Sequence, residues 1–147
     1  MAMRSKVFTY QAELRWQGGH TASVSSGARP ELPVSPPDDF PGGEADRWSP
    51  EHLYLGAMES CTMLSFLAHC THNGLDVKEY EAAARGEVER RAEDSRYAFT
   101  HVEMVVHVRM APGQAGAARA LTDKAERDCF ITASTTARVD HDWRISE

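Results

Sequence analysis

Hydrophobic and polar residues alternate strictly from Val7 to Trp16. Phe8, Tyr10, Ala12, Leu14 and Trp16 fall on one side, and Thr9, Gln11, Glu13 and Arg15 on the other. A period of two is that of a strand with one buried face. Gly18-Gly19 then predicts a hairpin turn, and His20 to Ser26 the returning strand. The short apolar piece Glu31 to Val34 predicts a third strand. Pro36 to Asp46, rich in Pro, Gly and acid, predicts a loop.

The period changes at Ser49-Pro50-Glu51. A hydroxyl N-cap, a proline at the first helical position and an acid in the first turn start a helix. It runs to the C-cap pair Asn73-Gly74, roughly 22 residues and about 33 Å. Leu53, Ala57, Cys61, Leu64 and Ala68 form one apolar stripe, and Leu55, Met58, Met63, Phe66 and Leu67 extend it around the other sides. A helix apolar on most sides is buried on most sides. One small subunit can hardly cover it, which predicts a second copy of the chain. Two alternating stretches follow. Tyr80, Ala82, Ala84 and Val88 share a face in the first, and Val102, Met104, Val106, Val108 and Met110 in the second, with the charged turn Arg90 to Arg96 between them. Pro112-Gly113 precedes a second helix, about Gln114 to Asp128, with Leu121, Ala125 and Cys129 on one face. The tail is a strand with Ala137, Val139, Trp143 and Ile145 inward. The order is strands, helix, two strands, helix, strand: an α+β fold.

Length and charge narrow the class. The 147 residues suit one domain, 1–147, since domains usually run about 100–200 residues. A net charge of −6 leaves no electrostatic footprint for nucleic acid. No apolar run reaches the roughly 18–20 residues of a membrane span, and Met1 to Lys6 lead into no signal-like stretch. A cytoplasmic protein is expected. Three cysteines, an odd number, are too few for a disulfide scaffold.

Cys61 and Cys70 are nine residues apart. At about 100° per residue they point to opposite sides of the helix and lie about 13.5 Å apart along it. Cys129, ending the second apolar-faced helix, is placed to pack beside Cys61, either as a reactive couple or as two buried thiols that are merely neighbours. His69-Cys70-Thr71-His72 offers metal-ligand types. Adjacent helical residues diverge, however, and no third and fourth ligand follows from spacing, so neither a metal nor any other cofactor is expected.

Ser49-Pro50-Glu51-His52-Leu53 followed by Ala57-Met58-Glu59-Ser60-Cys61, and Lys124-Ala125-Glu126-Arg127-Asp128-Cys129 later, resemble the two cysteine motifs of the OsmC/Ohr family of osmotically induced and organic-hydroperoxide-resistance proteins. The element order matches over nearly the whole chain. The resemblance implies an intertwined homodimer whose antiparallel sheets wrap two long central helices. It also implies a thiol peroxidase that reduces organic hydroperoxides and is recycled by a dithiol reductant of lipoyl type. Cys61 matches the peroxidatic cysteine, Cys129 the resolving cysteine, and Glu51 the glutamate that holds an active-site arginine. Leu53, Met58, Leu64 and Phe130 would line an apolar substrate pocket.

The sequence departs from the family where the arginine is expected. His20 follows Gly18-Gly19, and the nearest cations are Arg15, Arg29 and Arg47. Arg15 or His20 is then the candidate to hold a thiolate. Phe130 and Thr132 replace a frequent proline and serine. The alternative function is a non-catalytic dimer of the same fold that binds an apolar or electrophilic small molecule, favoured by the missing arginine. The cysteine pair and Glu51 favour the enzyme.

Overall fold

The computed structural model describes residues 5–147. Gly18 and Gly19 turn the chain at positive φ, a conformation that costs glycine little. The turn joins β1 (Glu13–Gly18) to β2 (Thr21–Ser25), which pairs in turn with β3 (Leu32–Val34) in an antiparallel sheet ordered β1-β2-β3. The predicted first strand began at Val7, whereas β1 begins at Glu13. The reason is the partner's length: Glu13 pairs with Ser25, the last residue of β2. On the apolar side of β1, Leu14 is 67% and Trp16 71% exposed. This sheet belongs to the first of two compact units, which ends at Leu53; the second is Tyr54–Glu147.

Helix α1 spans Pro50–His72. The Ser49 Oγ accepts from the backbone N–H of His52 at 3.2 Å, as its N-cap position predicts. At the other end Gly74 takes φ +69° and Leu75 N–H reaches back to the Cys70 carbonyl at 2.9 Å. The buried stripe differs from the expected one. It is Met58, Thr62, Phe66 and Cys70, while Leu64 is 61% exposed. The one threonine is accepted because its hydroxyl finds a partner inside, described below.

The second unit carries the sheet β4-β5-β6, from Val77–Arg90, Tyr97–Met110 and Arg138–Ser146. β4 and β5 are antiparallel, but β6 runs parallel to β5, so the sheet is mixed rather than wholly antiparallel. A parallel return needs a long crossover, which the helical segment between β5 and β6 supplies. Val102, Met104, Val106, Val108 and Met110 are all buried, as the alternation predicts, and pack with the α1 stripe into one core. The register then puts His141 opposite Met104, on the same inner face as Val139 and Trp143.

The second helix is not long. It is α2 (Ala115–Arg119), α3 (Thr122–Arg127) and a further turn, α4 (Phe130–Ala133). Thr122 Oγ1 donates to the Arg119 carbonyl at 3.0 Å, and Leu121 N–H bonds three residues back to Ala118, so the ladder tightens and breaks there. The expected face survives the break: Leu121, Ala125 and Cys129 are all buried.

Candidate active site

Cys61 projects from the middle of α1, and Cys129 sits at the corner where α3 ends and α4 begins. The two thiols are neighbours, close enough for each to shift the other's proton affinity, and neither is in a disulfide. Cys129 is fully buried and Cys61 only partly. Cys61 opens onto a cavity of ≈ 640 Å³, lined by Ala57, Leu64, Ala68, Phe130 and Ile131, with Ser60, Ser65, His69 and Asp128 as its polar members. Leu64 and Phe130 line it as the resemblance implied. Met58, expected there too, lies in the core instead.

The surroundings of the two sulfurs are unequal. Cys129 caps α4, and its Sγ accepts from Thr132 Oγ1 at 3.1 Å, from Thr132 N–H at 3.4 Å and from Thr62 Oγ1 at 3.6 Å. Burial pushes its thiol up, but these donors together with the Cys61 thiol outweigh that, so Cys129 lies below an ordinary cysteine. For Cys61 burial dominates. The N–H groups of Ile131 and Phe130 pull its thiol down, the neighbouring Cys129 pushes it up, and the net shift is upward. Tyr80 of β4 also faces Cys129. Burial, with Glu59 and Cys129 nearby, pushes its phenol far up, so it stays neutral.

Cys70 lies in the core, its thiol pushed up by burial alone, with no part in the pair. At the cavity rim His69 Nε2 meets Asp128 Oδ2 at 2.8 Å. Arg127 and His69 together hold the Asp128 carboxyl down to about 2. Among the described residues no group of three or more His, Cys, Asp or Glu side chains could hold a metal ion. Ser65, one turn beyond Cys61, has a buried Oγ with no partner among the described residues.

The other three candidates lie in the first unit. His20 and Glu51 line one apolar cavity of ≈ 500 Å³, with Trp16, Val34, Phe40 and prolines 36, 37 and 50. Gly42 packs so closely on the His20 ring that an added Cβ would fall 2.2 Å from Nδ1. One oxygen of Glu51 is buried without a partner among the described residues. Arg15 is not in that cavity. It follows the strand alternation to the opposite face from Trp16, beside Ser23, Ser25 and Glu31. The sequence pattern did not single out Thr62 or Ser65, and marked Tyr80 only as one face of a strand. Thr132 stood out only as a departure from the family.

An α+β chain with two adjacent thiols beneath an apolar cavity is the class that fold and geometry define. The chain belongs to the OsmC-like protein family, whose sequence profile matches residues 43–144. No curated protein matches the sequence. Solved structures share the fold at low identity. An OsmC-like protein of unknown function from Vibrio cholerae is 17% identical, with TM-score 0.82 over 96% of this chain and 99% of that one. An organic hydroperoxide resistance protein from Elizabethkingia anophelis is 18% identical, with TM-score 0.74 over 98% and 99%. The organic hydroperoxide resistance protein OhrB of Bacillus subtilis is 17% identical, with TM-score 0.63 over 94% and 98%.

Proposed function

We propose that this protein is a thiol peroxidase that reduces organic hydroperoxides to alcohols, with Cys61 the cysteine that meets the peroxide and Cys129 the one that resolves it. The observation that carries this reading is the dithiol itself, one sulfur open to an apolar cavity and the other buried in contact with it. An apolar cavity of ≈ 640 Å³ suits a bulky peroxide better than hydrogen peroxide, whose two hydroxyls find few partners there. Attack on the terminal oxygen leaves Cys61 as a sulfenic acid and releases an alcohol. Condensation with Cys129 then forms a disulfide before further oxidation. The unpartnered Ser65 hydroxyl is the group available to orient the peroxide. A lipoyl-type dithiol, slender and largely apolar, would reopen the disulfide by exchange.

The working unit in this proposal is a cytoplasmic homodimer. The exposed apolar side chains of β1 and the cavity wall, Leu14 and Trp16, Leu64 and Phe130, are the surface a second copy would cover. One observation favours the non-catalytic alternative: among the described residues, no arginine or lysine lines the Cys61 cavity. Thiol titration before and after one equivalent of cumene hydroperoxide separates the two. Loss of two thiols, with mass spectrometry placing a Cys61–Cys129 disulfide, is the expected result. Two unreacted thiols would favour the binding protein.

A further inference from the structure

Three hydrogen bonds converge on a buried sulfur, and they converge on the one that does not meet the peroxide. Thr132 Oγ1 and N–H and Thr62 Oγ1 all point at Cys129 Sγ, at 3.1, 3.4 and 3.6 Å. A fully buried thiol needs no such set, because it packs well as a small apolar group. A buried thiolate does need it. The Cys61 thiol is the neighbouring group, and its presence also favours the charged form of Cys129. We propose that the reduced pair shares one proton, with Cys129 the thiolate and Cys61 the thiol, and that Thr62 and Thr132 are positioning residues that make Cys129 the base for Cys61. The assignment rests on the peroxidase reading for its catalytic step alone.

The proton then serves both halves of the peroxide step. Cys61 gives it to Cys129, and the new Cys61 thiolate, beside the N–H groups of Ile131 and Phe130, attacks the terminal oxygen of the peroxide. An S–O bond forms, the O–O bond breaks, and two electrons pass from sulfur to the leaving alkoxide. The Cys129 thiol returns the proton to that alkoxide, which leaves as the alcohol. Cys129, again a thiolate, attacks the Cys61 sulfenic sulfur. The S–S bond forms, the S–O bond breaks, and hydroxide departs. The pair begins the reaction with one proton and ends it as a disulfide with none: the proton leaves in the alcohol, the negative charge leaves as hydroxide, and solvent neutralises that hydroxide. The shared proton does the work of a fixed guanidinium, and Thr62 and Thr132 supply it from within residues 54–147.

The other ionisable groups facing the pair do not compete. From β4 comes Tyr80, held neutral, and Glu59 of α1 faces that phenol. Asp128, next to Cys129 in the chain, is occupied by Arg127 and His69. From β5, Val102, Met104, Val106, Val108 and Met110 pack into this core.

Thiolate absorbance at 240 nm against pH tests the assignment without any peroxide, on reduced full-length protein carrying Cys70→Ala. Cys61→Ser is expected to keep a thiolate that appears below the free-cysteine value of about 8.5, and Cys129→Ser to lose it. Adding Thr132→Val to Cys61→Ser should raise the midpoint by about one unit, a tenfold change in proton affinity, and Thr132→Ser should return it. Thr62→Val gives the same test from the other element if Thr132→Val does not fold. A low-titrating thiolate that survives in Cys129→Ser and vanishes in Cys61→Ser overturns the assignment. Stopped-flow oxidation by cumene hydroperoxide tests the transfer step: its pH midpoint should move with Thr132→Val, and an unmoved midpoint overturns the shuttle. If the titration comes out as expected but wild-type protein consumes no peroxide, the peroxidase reading and the transfer step fall together while the Cys129 thiolate stands.

Discussion

At the scale of single residues, chemistry follows from what each sulfur can reach. Cys61→Ser is expected to abolish peroxide consumption, measured by loss of cumene hydroperoxide. Cys129→Ser should react once, at least tenfold more slowly because its base is gone, and accumulate a sulfenic acid that a dimedone adduct reveals. Cys70→Ala should change neither, since Cys70 faces the core on the far side of α1. A second residue-scale consequence concerns His141. Its side chain is almost wholly buried, both ring nitrogens lack a hydrogen bond among the described residues, and its ring stacks on Trp143. Burial lowers its proton affinity, although Glu126 and Asp140 push the other way. With the folded value depressed below the unfolded one of about 6.5, the unfolded chain binds the extra proton. Stability is therefore full above about pH 6.5 and falls as the pH drops through that value. Urea midpoints measured from pH 7.5 to 5 should decline for the wild type, and the decline should be shallower in His141→Phe.

Elements hold these residues through a few replaceable bonds. The start of α1 depends on the Ser49 hydroxyl, so Ser49→Ala should cost about 1 kcal/mol in urea unfolding, with a Thr replacement recovering most of it. The core stripe of the same helix depends on Phe66, which is fully buried between the Tyr80 and Trp143 rings. Phe66→Ala should cost about 3–5 kcal/mol, enough to bring a marginal domain near unfolding at ambient temperature. Phe66→Leu, closer in volume, should cost distinctly less. The α2–α3–α4 segment is a different kind of element. Its short turns are set by side-chain bonds, Thr122 to Arg119 and Thr132 to Cys129, rather than by a continuous ladder. Oxidation of Cys129 replaces the acceptor at the α4 cap, so hydrogen exchange in residues 130–133 should quicken in the disulfide form. Equal exchange in both redox states would show that the cap does not hold the turn.

At the scale of the whole molecule, the uncovered apolar side chains set the expectation. Leu14 and Trp16 in the first unit, and Leu64 and Phe130 in the second, are each more than half exposed in the single chain, apolar surface of the kind a second copy would cover. Sedimentation at low micromolar concentration should give a dimer, and unfolding midpoints should rise with protein concentration. A compact monomer with concentration-independent unfolding would count decisively against it.

The sequence by itself determined the elements and most of their facing. Period two marked β5 down to each buried residue, Ser49-Pro50 and Asn73-Gly74 marked the ends of α1, and the spacing of Leu121, Ala125 and Cys129 kept one face through a break that it did not foretell. These features are legible because they are local: a cap, a turn or an alternation depends on residues a few positions apart. Tertiary structure decided the parallel course of β6, the burial of Thr62 in an otherwise apolar stripe, the inward His141, and the company each candidate keeps. Arg15 and His20 both lie within three positions of Gly18-Gly19 in sequence, yet of the two only His20 shares a cavity with Glu51. Thr62 and Thr132 are seventy positions apart and meet at one sulfur. Nothing in a local pattern encodes such a meeting, because it is fixed by how helix and crossover pack on the sheet, and a buried hydroxyl is tolerated only where that packing brings it an acceptor.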